Sequence, residues 1–288
     1  MSIGLYRGIG IVGAGRVARA LALALAPFSR APLRLWARDA GRLALACEGL
    51  AVVPAASLEA LAVGCHLLVI AVADDAMPEV VARLAAVPCA APRLVCHVSG
   101  RSGAALLAPL QGKAGAVAAI HPAMTFTGDP QAEVARMKGA RFAITAPDAA
   151  ALDAARALVA CLGGVAVEVA EAHRALYHAA LCHGANHLVT LMAGAFGALA
   201  AAGVEEPAAL LAPLVRAALE NSLDRGFAAL SGPLLRGDRQ TVDGHLQALE
   251  RDCPALLPAY QAMALATVDR LEAEGAADTA ALRQLLAG

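Results

Sequence analysis

The sequence predicts an α/β fold, a doubly wound sheet, followed by an all-α C-terminal domain. Three observations lead to this prediction. Short apolar runs alternate with helical patterns over the first half of the chain, which is typical of a parallel sheet flanked by helices. The first run, residues 8–12, leads through a turn of small residues directly into a helix. No convincing strand pattern follows residue 170, so we predict domains over residues 1–170 and 171–288.

The turn after the first predicted strand has the spacing of a dinucleotide-binding loop. Gly13 permits a tight turn, Gly15 lets the backbone approach a diphosphate, and the small Ala18 lets the helix pack closely on the strand. The amino end of that helix presents unpaired N–H groups and the positive end of its dipole. We therefore predict a Rossmann-type domain in which the turn itself binds the cofactor, through Gly13, Ala14, Gly15, Arg16 and Val17.

The end of the second predicted strand bears on the choice of cofactor. An acidic residue there binds the ribose 2′-OH of NAD, whereas an arginine accommodates the 2′-phosphate of NADP. Arg38 follows strand residues 33–37 directly, Asp39 comes next, and Arg42 lies one helical turn further. Because arginine forms bidentate contacts with phosphate, the sequence favours NADP over NAD. The alternative is that Arg38 and Asp39 form a solvated strand end and a helix cap.

Three further segments follow predicted strands, at the edge where open α/β sheets bind ligands. Ala73 begins the first of them, and Asp74 or Asp75 after it is predicted to cap the next helix, the alternative being a contact with the cofactor. Ser99 and the glycine after it either line the nicotinamide ribose or form a plain turn. His121 precedes a proline, which holds it in extended backbone, and it is a candidate to contact a substrate carbonyl or carboxylate.

The apolar segment 171–202 reads as one long helix that carries several polar side chains. His178 is a candidate general acid, because imidazole has an ordinary pKa of about 6.5. Asn186 lies two turns further on roughly the same face, where it would hold the substrate carbonyl or the nicotinamide carboxamide. The alternative is that both are hydrogen-bonded polar groups between packed helices. His183 and His187 have the spacing of metal ligands, but no glutamate accompanies them, and we predict no metal site.

A turn-rich connection between two later helices carries a second polar cluster. Arg236 has the fork geometry that clamps a carboxylate, and Asp238 is placed to cap the following helix. Thr241 and His245 are four residues apart and share a face of that helix. We predict that these four residues bind the substrate, the alternative being a solvated loop.

Composition and charge argue against several classes of partner. A net charge of −1 and 3% aromatic residues are not typical of proteins that bind nucleic acid. The longest charge-free stretch, residues 175–204, contains three histidines and an asparagine, so we expect a buried interface helix rather than a membrane span. The seven cysteines are scattered without a C-x-x-C pair and predict reduced core residues. With no secretory signal pattern at the amino end, these features predict a cytoplasmic protein.

Together these motifs resemble a family of NAD(P)-dependent oxidoreductases that pair a Rossmann-like domain with a helical C-terminal domain of unknown function. The wider relatives of that family are ketopantoate reductases, pyrroline-5-carboxylate reductases and 6-phosphogluconate-type dehydrogenases. Two positions depart from the pattern, since Ala73 replaces a usual proline and Ala18 replaces the third glycine of the fingerprint. The matching segments are residues 11–17, 97–100, 121–126, 175–186 and 231–246.

The resemblance implies an NADP-dependent reductase of a small 2-oxo or imino acid, dimeric through its helical domain, with 2-dehydropantoate as one candidate substrate. Ketopantoate reductases carry a lysine on the first long helix of the second domain, followed by asparagines at intervals of four. The comparable positions here are His178, Cys182 and Asn186, so the lysine is replaced. This replacement leaves open an alternative, a non-catalytic NAD(P)-binding sensor or scaffold.

Overall fold

The computed structural model describes residues 4–88, 92–276 and 279–287 of the chain. The chain divides into two compact units, Met1–Cys182 and His183–Gly288. The first unit thus extends past the domain boundary predicted at residue 170. The reason is that the first turns of the predicted long helix pack against the end of the sheet, as the contacts of Arg174 described below show.

The first unit contains an eight-stranded sheet in the order β3-β2-β1-β4-β5-β6-β7-β8. The first six strands are parallel and follow the order of a Rossmann fold. The sheet is mostly parallel, as predicted, and the exception is β7, which runs antiparallel to β6. The strands are β1 Ile9–Val12, β2 Leu33–Trp36, β3 Val52–Pro54, β4 Leu67–Ile70, β5 Leu94–His97, β6 Val117–Pro122, β7 Arg141–Thr145 and β8 Val165–Glu168.

The helices of the first unit connect these strands. Asp39 caps α2, Ser57 caps α3 and Asp148 caps α6, each by accepting a hydrogen bond from a backbone N–H of the first turn. Between β5 and β6 the chain forms a 3-10 helix, Ala104–Leu110. The α-helices are α1 Arg16–Leu25, α2 Ala40–Cys47, α3 Leu58–Gly64, α4 Met77–Ala86, α5 Pro130–Met137, α6 Ala149–Cys161 and α7 Arg174–Leu181.

The predicted cap of α4 by an aspartate is wrong. The N-cap residue of this helix is Ala76, and a proline in its first turn already removes one of the N–H groups that a cap would satisfy. The carboxylate of Asp74 instead forms an ion pair with Arg101, at 3.0 Å from its Nε. Two segments at the carboxyl ends of β4 and β5 are thereby linked.

Both faces of the sheet are buried, which explains the continuous apolar runs of its strands. Ile9 and Ile11 of β1 pack in one hydrophobic cluster with residues of α1. Leu68 and Ile70 of β4 pack in a second cluster with residues of α3 and α4. Because side chains alternate between the faces of a strand, the burial of both faces fixes the register of the strands. Because β1 to β6 are parallel, their carboxyl ends lie at one edge of the sheet.

The single helix predicted over residues 171–202 changes type along its length. It consists of a 3-10 turn, Glu171–His173, then α7, a π-helix Cys182–Asn186, and α8 His187–Ala201. Gly184 lies inside the π-helix, in keeping with the low helix propensity of glycine. By length and composition alone, with a mean hydropathy of 1.2, Glu171–Ala201 is the one helix among the described residues that is long and apolar enough to span a membrane. The core helix of a soluble protein passes the same test.

The second unit is helical and has a small core of its own. This core contains Val242, Ala264, Val268, Leu282 and Leu286. Within the part of the chain that the structure describes, α8 and α9 contribute no buried residue. The remaining helices are α9 Pro207–Arg225, α10 Arg239–Asp252, α11 Leu257–Ala273 and α12 Ala280–Ala287.

Six cysteines lie in the described residues, and all six are free thiols. Cys65 and Cys96 are buried, as predicted for core residues, whereas the other four are partly exposed. The seventh, Cys89, lies outside the described residues.

Candidate functional site

A crevice opens at the carboxyl ends of β1, β2 and β4. Its floor is the turn Gly13-Ala14-Gly15, which the N–H of Gly13 ties to β2 by donating to the carbonyl of Trp36 at 2.8 Å. Gly13 is required there, since its φ is +135° and a Cβ would lie 2.2 Å from the carbonyl oxygen of Ala71. The other residues that line the crevice include Ala37, Arg38, Asp39, Arg42, Val72, Ala73, Glu79 and Arg83.

The end of the crevice at α1 fits a diphosphate. Gly15 is the N-cap residue of α1, and among the described residues a Cβ placed on it would meet no atom within 4 Å. The first N–H groups of a helix have no partner within it, so those of α1 are available to an anion in this space. The guanidinium of Arg16 is directed elsewhere and donates to the carbonyl of Phe126 at 3.3 Å. Arg16 and Val17 therefore offer their backbone amides rather than their side chains.

The other end of the crevice is rich in arginine. Arg38 is 80% exposed and lies 3.8 Å from the carboxylate of Glu79. Asp39 is engaged as the helix cap, because its side chain accepts from the N–H of Arg42 at 2.8 Å. Arg83 of α4 lies over the ring of Trp36, 5.1 Å from its centroid. Asp39 therefore caps a helix, as the alternative interpretation predicted. The guanidinium groups of Arg38, Arg42 and Arg83 border the crevice at this end.

A second group of polar residues, at the ends of β5 and β6, is built on the buried Arg174. This side chain is 1% exposed. Its Nε donates to the carbonyl of Ser102 at 3.1 Å, and its Nη2 donates to that of Ser99 at 2.6 Å. Nη1 donates to the carbonyl of Ala143 in β7 at 3.3 Å. One guanidinium therefore fastens the first turn of α7 to the loop after β5 and to β7.

The loop after β5 is shaped by a buried histidine. His97 accepts the N–H of Ser99 at its Nδ1, 3.2 Å away, and lies 2.9 Å from the carbonyl of Gly103 through its Nε2. These contacts assign the proton to Nε2, and burial lowers the pKa of His97, which is therefore neutral. The hydroxyl of Ser99 accepts the N–H of Ser102 at 3.2 Å. Ser99 thus forms a turn, which was one of the two roles predicted for it, the other being a contact with the nicotinamide ribose.

Two imidazoles lie against Gly100 and a phenol contacts one of them, and we call Gly100, His121, Tyr177 and His178 the imidazole site. The hydroxyl of Tyr177 lies 2.8 Å from Nδ1 of His121. The rings of His121 and His178 are perpendicular, with centroids 6.1 Å apart. A Cβ on Gly100 would lie 2.4 Å from Cδ2 of His178 and 3.0 Å from Nε2 of His121, so any larger residue would clash with the two rings.

His121 is uncharged at neutral pH. Burial is the main cause that lowers its pKa, to about 4, and the nearby Arg174 and His178 act in the same direction. Burial also raises the pKa of Tyr177, against the opposing effect of Arg174, so this phenol keeps its proton. His121 and Tyr177 are therefore neutral groups that can exchange protons.

The other predicted site residues lie in the second unit, where they make contacts of their own. Asp238 caps α10 as predicted, since it accepts from the backbone N–H of Thr241 at 3.1 Å and from its hydroxyl at 2.7 Å. Nδ1 of His245 lies 2.8 Å from the hydroxyl of Tyr260. Arg236 is exposed in the preceding turn. Their roles toward a substrate remain predictions.

The π-helix alters the predicted relation between His178 and Asn186. Asn186 is exposed at the end of the π-helix, and the 3.6-residue period on which a shared face depended does not hold there. His183 and His187 face each other with their Nδ1 atoms 3.3 Å apart. Within the described ranges, no three potential ligands cluster as a metal site.

Sequence reasoning missed four residues that build these sites. Tyr177 lay within a recognised segment, but its partner His121 is 56 residues away in sequence. Arg174 and His97 are polar residues whose burial arises only in the folded unit. Arg83 reaches the crevice from α4, where its helix position alone predicts a solvated side chain.

Two family models match the chain. Residues 5–122 match a Rossmann-like domain, and residues 140–267 match DUF2520, a domain of unknown function. The chain therefore combines these two domains, as the resemblance implied. A comparison with curated proteins finds no match by sequence.

Solved structures share the fold over almost the whole chain. A Bacteroides fragilis protein assigned as an NADP oxidoreductase superposes with a TM-score of 0.72 at 21% identity, over 90% of this chain and 97% of that chain. An imine reductase from Myxococcus stipitatus with NADP+ gives 0.68 at 17% identity, over 98% and 100%. A reductive aminase from Aspergillus terreus, with NADPH and ethyl-5-oxohexanoate, gives 0.61 at 20%, over 93% and 94%. Together they show a Rossmann-like sheet followed by a helical region.

Arg174→Met tests the role of the buried guanidinium. The change keeps much of the side-chain volume but leaves three carbonyl groups, of Ser99, Ser102 and Ala143, without their donor. We expect the free energy of unfolding in urea to fall by about 3 kcal/mol. The control is Arg156→Met, which removes exposed ion pairs to Asp153 and Glu168 and should cost less than about 1 kcal/mol. Equal losses for the two variants would contradict the role given to Arg174.

Proposed function

We propose that this chain, which joins a Rossmann-like domain to a DUF2520 domain, is an NADP-dependent oxidoreductase that reduces a small 2-oxo or imino acid by hydride transfer. The observation that carries the proposal is the placement of the crevice and the imidazole site. Both lie at the carboxyl ends of neighbouring strands of one sheet, the crevice at β1 and β4 and the imidazole site at β5 and β6. In an open α/β sheet this is the edge where ligands bind.

The crevice supports NADP as the cofactor. The space in front of Gly15 and the amides of residues 13–17 suit the diphosphate. Arg38, with Arg42 beside it, suits the 2′-phosphate, while Asp39 is already used by its own helix. Ala73 and Ser99 follow β4 and β5 and would contact the nicotinamide half. Two of the structural relatives were solved with NADP+ or NADPH.

The imidazole site supports reduction of a C=O or C=N bond. The bound cofactor supplies the hydride, and the protein must supply a proton and hold the substrate. We assign proton donation to one of the two imidazoles, His178 or His121, and the orientation of the reacting group to Asn186. The relatives that are an imine reductase and a reductive aminase support this class of bond. Among small carboxylates, 2-dehydropantoate is the 2-oxo acid that we would examine first.

A substrate carboxylate requires a cationic partner. We assign this role to Arg236, because a guanidinium binds a carboxylate through two parallel hydrogen bonds. Asp238 and Thr241 fix the start of α10, immediately after Arg236, and His245 lies one turn further along that helix. These residues would order the connection that carries Arg236.

The exposed apolar surface of the second unit supports a homodimer. Val189 of α8 is 70% exposed, and Leu214 and Leu223 of α9 are 67% and 76% exposed. An apolar surface of this kind marks an interaction site. We assign it to a second copy of the chain in the cytoplasm rather than to a bilayer, because Asn186 and three histidines interrupt the apolar helix, and a net charge of −1 does not favour nucleic acid.

Arg38→Ala tests the choice of cofactor. A charge-assisted hydrogen bond to phosphate contributes about 1.5–3 kcal/mol, so NADPH binding should weaken about 10- to 100-fold. NADH lacks the 2′-phosphate, and its dissociation constant should change by less than about twofold. The readout is nicotinamide fluorescence on titration, with Arg156→Ala as the control. Equal weakening for both nucleotides would contradict the assignment of NADP.

The reaction itself is tested by following NADPH oxidation with a panel of substrates. The panel contains 2-dehydropantoate, pyrroline-5-carboxylate and a series of 2-oxo acids. We expect turnover with at least one 2-oxo or imino acid, and loss of that turnover in His178→Ala. Tight NADPH binding without any turnover would contradict the proposal and favour a non-catalytic sensor.

A further inference from the structure

The proposed reduction needs a proton donor that can be refilled, and the pairing of Tyr177 with His121 provides one. The phenol and Nδ1 of the imidazole are 2.8 Å apart, with their rings almost perpendicular. The guanidinium of Arg174 lies over the ring of Tyr177, 5.5 Å from its centroid. We propose that Tyr177 and His121 form a proton relay, in which Tyr177 supplies, through His121, the proton that the reacting oxygen or nitrogen takes up. This inference rests on the proposed function.

The geometry determines which nitrogen of His121 faces the substrate. Nδ1 is engaged with the hydroxyl of Tyr177, and Nε2 faces Gly100. A Cβ on Gly100 would lie 3.0 Å from this Nε2 and 3.1 Å from Nε2 of His178, so both nitrogens lie close to the same glycine. We place the reacting oxygen or nitrogen of the substrate beside Gly100, where Nε2 of His121 can donate to it.

The charged groups around Tyr177 and His121 favour transfer of a proton from Tyr177 through His121 to the substrate. His121 is faced by Arg174, His178 and His97, which lower its pKa together with burial, and by Asp74, which raises it. The result, a pKa of about 4, leaves a neutral imidazole with one N–H to give. Tyr177 faces Arg174, whose positive charge stabilises the phenolate that remains after the phenol has given up its proton.

The proposed reduction transfers one hydride and one proton. Hydride addition from the reduced nicotinamide breaks the π bond of the C=O or C=N group and leaves an electron pair on oxygen or nitrogen. That pair takes the Nε2 proton of His121 while Nδ1 takes the hydroxyl proton of Tyr177. The phenolate then recovers its proton from Nδ1, and Nε2 takes a proton from water. One hydride and one solvent proton are consumed.

Because Tyr177 acts through His121, it is a positioning residue, and Tyr177→Phe tests it with little change of shape. We expect kcat to fall about 100-fold, with KM and the NADPH dissociation constant changed by less than about threefold. The decline of kcat at alkaline pH, which loss of the phenol proton causes, should move or disappear. Tyr6→Phe is the control, because Tyr6 is buried in the core near the amino end of β1.

A second readout needs no turnover. In ¹⁵N NMR of the imidazole side chains, His121 should show an unprotonated Nδ1 and a protonated Nε2, and Tyr177→Phe should mix the two tautomers. Tyr260→Phe is the matched spectroscopic control, since it removes a hydrogen bond of the same 2.8 Å length from His245 and should leave the signals of His121 in place.

These experiments distinguish failure of the proton relay from failure of the proposed reaction. If wild-type protein binds NADPH but reduces no compound of the panel, the proposed function fails. If it reduces one, and Tyr177→Phe keeps both the wild-type kcat and the wild-type tautomer of His121, the relay alone is overturned. Should Tyr177→Phe not fold, fluorotyrosine in a Tyr6→Phe, Tyr260→Phe background replaces it. Its more acidic phenol should move the alkaline decline of kcat to lower pH, and an unmoved decline overturns the relay.

Discussion

The buried guanidinium of Arg174 is the interaction on which the candidate site depends. An uncompensated charge in a protein interior is very costly, so Arg174 remains there only because three carbonyl groups accept its hydrogen bonds. Those carbonyls belong to the loop after β5 and to β7, and their convergence sets the position of the first turn of α7. Tyr177 and His178 follow on that helix, and they reach Gly100 and His121 for this reason.

The two parts of the site use different physical chemistry. The crevice has small residues, backbone N–H groups and exposed arginines, which suits a phosphorylated ligand with many negative charges. The imidazole site is half-buried, and burial keeps His121 and Tyr177 neutral. A neutral hydrogen-bonded pair suits the protonation of a group that gains charge only during the reaction. The parallel strands bring both parts to the same edge of the sheet.

The features that depend on local sequence were predictable. The turn at Gly13 and Gly15, the order of strands and helices, and the position of His121 at a strand end follow from spacing and side-chain pattern. The antiparallel β7, the π-helix and the extension of the first unit to Cys182 were not predicted, because tertiary packing decides them. Arg174 and Tyr177 were missed for the same reason. Apart from each other, the partners described for them are 31 to 75 residues away in sequence.

The most direct test of the account is a crystal structure of the protein with NADPH. We expect the diphosphate on the amides of residues 13–17, the 2′-phosphate against Arg38, and the nicotinamide ring at Gly100, facing His121 and His178. A nucleotide bound elsewhere, or a nicotinamide ring directed away from Gly100, would contradict the central claim that this edge of the sheet is the reaction site.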